Sequence, residues 1–146
     1  KNTLKNSRKN KMKYKCDYTL QKGHDTDSGY DLKTTRPFKL LPNQTKLIPT
    51  SLFLELDKNI EAQVRPKSSI SAKGVLVHFG TVDSDYRGEV KVVIQNLNDY
   101  GVEFEAGQKI AQIVFCKKTE VVLEHTENIS NNTQRGSGGF GSTGAF

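Results

Sequence analysis

A chain of 146 residues with 34% hydrophobic residues and a net charge of +6 is long enough for one domain with a real core. The charge is uneven: residues 1–15 hold seven cations and no acid, which leaves −1 (six less seven) over residues 16–146, so the body offers no broad basic surface and nucleic acid is not an expected partner. No apolar stretch approaches the about 20 residues of a helix that crosses a bilayer, so no membrane is an expected partner, and Cys16 and Cys116 form neither a metal-ligand spacing nor a disulfide framework, which fits a reducing cytoplasm.

Residues 1–12 read as a basic disordered tail, of which 1–11 are foreign to the domain if Met12 is its natural start; a phosphate-contacting basic arm is the competing reading. Lys13 to Leu20 reads as a first strand, and the turn formers of Gln21 to Gly29 interrupt it. Tyr30–Thr34, Phe38–Leu41, Thr45–Ile48 and Leu52–Leu56 are short strand-like runs parted by Pro37, Pro42, Asn43 and Pro49. Leu56 to Val64 is the nearest approach to a helix, although polar residues cross it and Ala62–Arg65 alternates like a strand. Val75–Phe79, Glu89–Gln95, Val102–Glu105, Ile110–Phe115 and Glu120–Leu123 complete the strand candidates. Many short strands at roughly ten-residue spacing predict an all-β barrel or sandwich over residues 13–125. Apolar content then collapses, and residues 126–146 read as a flexible, Gly-rich arm.

The stretch Gly80 to Glu89, between two β-branched runs, carries Asp83, Asp85 and Tyr86. An acidic turn between strands is ordinarily only a turn, yet this one would hold a carboxylate still and wet. Arg65 to Gly74 packs three cations and three serines after a strand, which is either a solvated loop or a phosphate cradle. Asp31 stands alone between apolar neighbours, as a turn cap or the holder of a metal-bound water. Gln112 interrupts an apolar run, as an outward-facing residue or an amide that reaches a phosphate. The arm places Arg135 and Phe140 among the glycines of residues 136–144, with Ser142 and Thr143 following. It lacks the lysine and the flanking strand and helix of a P-loop. A linker is one reading; an arm whose arginine pairs with phosphate and whose ring stacks on a base is the other.

Together these stretches resemble the trimeric dUTP pyrophosphatase (dUTPase) family over nearly all of residues 13–146. Five motifs occur in the family's order: Asp27-Ser28-Gly29-Tyr30-Asp31-Leu32, Pro66-Lys67-Ser68-Ser69-Ile70-Ser71, Val82-Asp83-Ser84-Asp85-Tyr86-Arg87-Gly88, Gly107-Gln108-Lys109-Ile110-Ala111-Gln112, and Arg135 to Gly144. The resemblance implies a distorted jelly-roll β-barrel subunit and a homotrimer with sites at the subunit contacts. It also implies a C-terminal arm that closes a neighbour's site. The implied reaction is hydrolysis of dUTP to dUMP and pyrophosphate, with Mg²⁺ on the triphosphate. By position, Asp83 would activate the water that attacks the α-phosphorus; carboxylates as a class are ionised at neutral pH and can accept that proton. Tyr86 would pack under the deoxyribose, and backbone groups around Val77 would read the uracil edge. Lys67, Ser68, Ser69 and Gln112 would belong to the phosphate-binding set, and Asp31 would orient Mg²⁺-bound water. Arg135, Ser142 and Thr143 would hold the γ-phosphate, Phe140 would stack on uracil, and Gly139 and Gly141 would lie along the substrate.

Two departures stand out. Lys67 replaces the family's second-motif arginine, which keeps the charge and loses the bidentate fork; Arg65, on the same strand, is expected to compensate. Ser69 and Ser71 replace small apolar residues. The alternatives on this fold are a dCTP deaminase-type relative, for which no glutamate general base stands out, and a regulatory partner-binding protein. The expected compartment is the cytoplasm, or the host cytoplasm or nucleus for a virus- or phage-encoded chain.

Overall fold

The computed structural model describes residues 11–146; the expected basic tail therefore lies, up to residue 10, outside the described residues. The described residues form ten strands and one helical turn. In chain order these are β1 (Lys13–Lys15), β2 (Tyr30–Lys33), β3 (Phe38–Leu40), β4 (Thr45–Glu55), β5 (Ile60–Arg65), α1 (Ser68–Ser71), β6 (Val75–Val77), β7 (Gly80–Val82), β8 (Val90–Asn96), β9 (Val102–Phe104) and β10 (Lys109–Lys117). Two antiparallel four-stranded sheets, ordered β1-β4-β8-β6 and β2-β10-β5-β7, are joined by the two-stranded β3-β9 pair. The expected all-β class is what the chain adopts.

Alternation builds the core. Val90, Val92, Ile94 and Asn96 of β8 turn inward while Lys91, Val93 and Gln95 do not, the period-2 signature of a half-buried strand. Ile60, Ala62 and Val64 of β5 do the same from the second sheet, and residues of both sheets share one buried cluster. At about 25 cal/mol per Å² of apolar area removed from water, this shared interior is the main force holding the two sheets together.

Three readings of the sequence are corrected and one open reading, over Leu56 to Val64, is settled. Pro49 does not separate two strands, because β4 runs straight through it. On one side Pro49 lies opposite Lys91 of β8. On the other side β1 covers β4 only at Phe53–Glu55, so Pro49 sits beside an open edge where a missing N–H breaks no ladder. The register slips between Pro49 and Leu52, with Ser51 at φ 60°, and the bulge lets buried Thr50 donate its hydroxyl to Val90 O. Leu56 to Val64 holds no helix: Asp57 caps a turn, accepting from Asn59 N at 3.2 Å and Ile60 N at 2.9 Å, and β5 follows. The one helical turn is α1, in the serine-rich stretch after Pro66, where the sequence suggested a loop. Glu120–Leu123 forms no strand and pairs with none among the described residues, and Val122 is 99% exposed. Among the described residues no helix is long and apolar enough to cross a membrane.

Candidate active site

The residues singled out from the sequence fall into three groups. The first surrounds Asp83. β7 hands the chain to a turn in which Tyr86 N donates to Asp83 O at 3.1 Å. Buried Val82 and Val90 anchor both ends of the stretch, and the Arg87 guanidinium donates to Ser84 O at 2.7 Å. Asp83 therefore stands exposed on a pinned loop. It lines an open cavity of about 380 Å³ together with Tyr86, Glu89, Lys91 and strand residues of β4, β5 and β7. The Tyr86 hydroxyl donates to Glu89 O at 2.8 Å, which folds the ring back over Gly88. A methyl group at Gly88 would lie 2.5 Å from that hydroxyl and 2.6 Å from the ring, so this ring position requires glycine. Asp85 is exposed and lines no part of the cavity.

Val77 has a buried side chain at the end of the first sheet, in β6. It lies opposite Ile94, while the next residue, His78, donates its N–H to Val93 O at 2.9 Å. In an antiparallel ladder, that register turns the N–H and C=O of Val77 away from β8, toward the open edge.

The second group is built on the second sheet. Asp31 of β2, Gln112 of β10 and Arg65 of β5 lie opposite one another in a row across three strands. Gln112 donates its amide to Pro66 O at 2.9 Å, which ties β10 to the chain entering α1. Gly29 is buried against that amide; a methyl group there would lie 2.3 Å from Gln112 Oε1. Asp31 is 5% exposed, and each of its oxygens meets an ammonium group: Oδ1 is 2.5 Å from Lys67 Nζ, and Oδ2 is 3.1 Å from Lys109 Nζ. Burial opposes ionisation of this carboxyl, but the two lysines outweigh it and hold Asp31 below the ordinary carboxylate range. Lys67 is the extended residue just before α1, and Ser68 and Ser69 begin that turn with exposed side chains. Arg65 does not reach toward Lys67. Its guanidinium holds Gln63 Oε1 and approaches Cys116 Sγ at 3.9 Å, so the expected compensation is not the arrangement present.

The third group is the arm. Arg135 Nε donates to Gly138 O at 2.9 Å, Ser142 N to Gly139 O at 3.1 Å, and Gly144 N to Gly141 O at 3.0 Å. Phe140 and Gly141 have positive φ, and Phe140 is fully exposed. Arg135, Gly139, Phe140, Gly141, Ser142 and Thr143 line no part of the Asp83 cavity, and neither do Asp31, Lys67, Ser68, Ser69 and Gln112. Directly after β10 and before the arm, Lys118 Nζ donates to Ser84 Oγ of the Asp83 loop at 2.9 Å. Sequence reasoning assigned no function to Lys109, Gly29 or Gly88. The signals were there, in a cation three residues before Gln112 and in glycines flanking Tyr30 and Tyr86.

Among the described residues no three His, Cys, Asp or Glu side chains converge to hold a metal ion.

Comparison with known proteins agrees with this anatomy. The profile of the dUTPase family matches residues 18–144. Deoxyuridine 5'-triphosphate nucleotidohydrolase of Mesorhizobium japonicum is 47% identical over 124 residues, covering 80% of this chain and 76% of that protein. The protein of the same name from Clostridium tetani is 41% identical over 127 residues, covering 85% and 87%. Among solved structures, the dUTPase of Staphylococcus bacteriophage 80alpha with dUPNHPP superposes with a TM-score of 0.86 at 23% identity, covering 93% of this chain and 99% of that one. A mutant dUTPase of phage phi11 of S. aureus, described with a structural Mg(II) ion, gives 0.77 at 18% identity and covers 82% and 99%. The match spans β2 to β10, the Asp83 turn and the arm as far as Gly144, and the chain belongs to the dUTPase family.

Proposed function

We propose that this chain hydrolyses dUTP to dUMP and pyrophosphate, with Asp83 as the group that positions and deprotonates the attacking water. The observation that carries the reading is the pinned Asp83 turn, which sets a carboxylate at the wall of a cavity beside Tyr86, on a chain of this family. Water oxygen bonds to the α-phosphorus, the bond from that phosphorus to the α–β bridging oxygen breaks, and the water proton passes to Asp83. Pyrophosphate leaves. Such chemistry rests on positioning and charge neutralisation more than on covalent participation by the protein. Tyr86, held over Gly88, takes the face of the deoxyribose where a 2′-hydroxyl would clash. The outward N–H and C=O of Val77 are a donor and an acceptor for the uracil edge.

Lys67, Ser68, Ser69 and Gln112 bind the phosphates, and the arm supplies Arg135, Gly139, Phe140, Gly141, Ser142 and Thr143. Within one chain these groups do not share the Asp83 cavity, which supports a homotrimer in which neighbouring copies complete each site. In this reading residues 13–125 make the domain and 126–146 the closing arm. Mg²⁺ is not fitted by a cage of protein ligands, since both oxygens of Asp31 face ammonium groups. The fit is to an ion carried on the triphosphate, ligated by phosphate and water, with Asp31 acting through water. When bound it offsets the phosphate charge. The absence of a membrane-crossing helix among the described residues is compatible with the expected cytoplasmic setting.

The test is pyrophosphate and ammonia release from dUTP, dTTP, UTP and dCTP, side by side, with Asp83→Asn as control. We expect pyrophosphate from dUTP alone, and a fall in kcat of about a thousandfold in the variant with nucleotide binding retained. Ammonia from dCTP, or normal turnover by Asp83→Asn, refutes the reading.

A further inference from the structure

The second register slip of the fold lies at the site. β10 pairs with β2 through Lys109 opposite Lys33 and Ala111 opposite Leu32, so Ile110 is an extra residue between the two pairs. Strict alternation counted back from Gln112 would put Lys109 on the core face, since the two are three residues apart. The bulge reverses that. Ile110 and Ala111 are both buried, and Lys109 joins the face that carries Asp31, Lys33 and Gln112. Bulges of this kind re-aim a side chain. Here the re-aimed ammonium lands on Asp31 Oδ2, while Lys67 occupies Oδ1.

We propose that Asp31 is a positioning residue that holds Lys67 and Lys109 as a two-lysine phosphate clamp, which makes Lys109 a further substrate-binding residue. This rests on the dUTP reading above. Two cations against one carboxylate leave the cluster with one net positive charge. The carboxylate is the buried member, with a side chain 7% exposed, whereas the Lys67 and Lys109 side chains are 25% and 52% exposed. The face offered to solvent is therefore cationic, and each ammonium keeps donors free for phosphate oxygens. The pair also answers the loss of the second-motif arginine. A lone lysine is a flexible point charge, but two lysines fixed to one carboxylate present two donors at a set spacing, as a guanidinium does. Lowered protonation of Asp31 agrees with this geometry.

The experiment is calorimetric titration of the full chain with the non-hydrolysable analogue dUPNHPP, once with Mg²⁺ and once in EDTA. In EDTA, Lys109→Met should weaken binding about tenfold, with Lys109→Arg within about threefold of the parent chain. Asp31→Asn should weaken binding in EDTA, where no metal is bound, and at least as much with Mg²⁺. A loss in Asp31→Asn that appears only with Mg²⁺, with parent-like binding in EDTA, would mean that Asp31 acts through the metal alone and would overturn the proposal. So would a Lys109→Met variant that binds like the parent in EDTA while only its melting temperature falls. If Asp31→Asn does not fold, Lys109→Met decides alone, because Asp31 keeps Lys67 there. Failure of the unmutated chain to bind the analogue at all sinks the dUTP reading first, and the clamp with it.

Discussion

The phosphate row and the C-terminal arm are both candidate parts of one site, and they are built in opposite ways. Asp31, Gln112 and Pro66 are locked by strand pairing, a buried ion cluster and a side-chain bond. Arg135 to Thr143 are mostly exposed, and the hydrogen bonds they make stay within the arm. The first arrangement meets its ordering cost during folding. The second has few contacts to lose and must be ordered when it closes on ligand and neighbour. A pre-organised half gives affinity, and a late-ordering half couples closure to the presence of the correct substrate.

Deleting residues 134–146 is the sharpest way to separate the halves. Turnover should fall about a hundredfold or more while the melting temperature stays within about 2 °C, because no barrel contact is lost; a large drop in melting temperature would show the arm to be structural. Breaking the fixed half should do the reverse and affect folding as well. Gly29→Val drives a side chain into Gln112 and should cost about 1–3 kcal/mol of stability by denaturant unfolding, along with weaker phosphate binding. Phe140→Ala tests the arm at one residue. Loss of a stacking ring should raise KM for dUTP roughly tenfold with no change in unfolding. The smallest effect is in pH. Asp31 has a folded pKa below its unfolded one, so its contribution to stability is full above the unfolded value of about 4 and is lost as pH falls through the folded value. The stability gap between the parent chain and Asp31→Asn should accordingly narrow below about pH 4 in acid titrations followed by circular dichroism.

Much of this contrast was legible in the sequence. Alternation marked β9 and most of β5, a β-branched run marked β8, and the loss of apolar residues after His125 marked the arm. The Asp83 turn stood out because β-branched runs flank it. What escaped was decided by neighbours rather than by local pattern. Pro49 looked like a break until the open flank of β4 was known. Glu120 to Leu123 looked like a strand but pairs with none among the described residues. The Ile110 bulge is written only as two adjacent buried residues in an apolar run, so the direction of Lys109 could not be read from spacing. The roles at Asp83, Tyr86 and Gln112 came from motif resemblance, since composition leaves Asp83 and Asp85 indistinguishable.

The open edge at Val77 bears on how this chain could change over generations. Its side chain is 1% exposed and fastens β6 to the interior, while the groups offered outward belong to the backbone. Every amino acid except proline carries the same N–H and C=O. Most substitutions at this position would therefore alter packing and leave the offered donor and acceptor chemically unchanged. A base preference lodged there would tolerate drift in residue identity, and a comparison of side chains alone would pass over it.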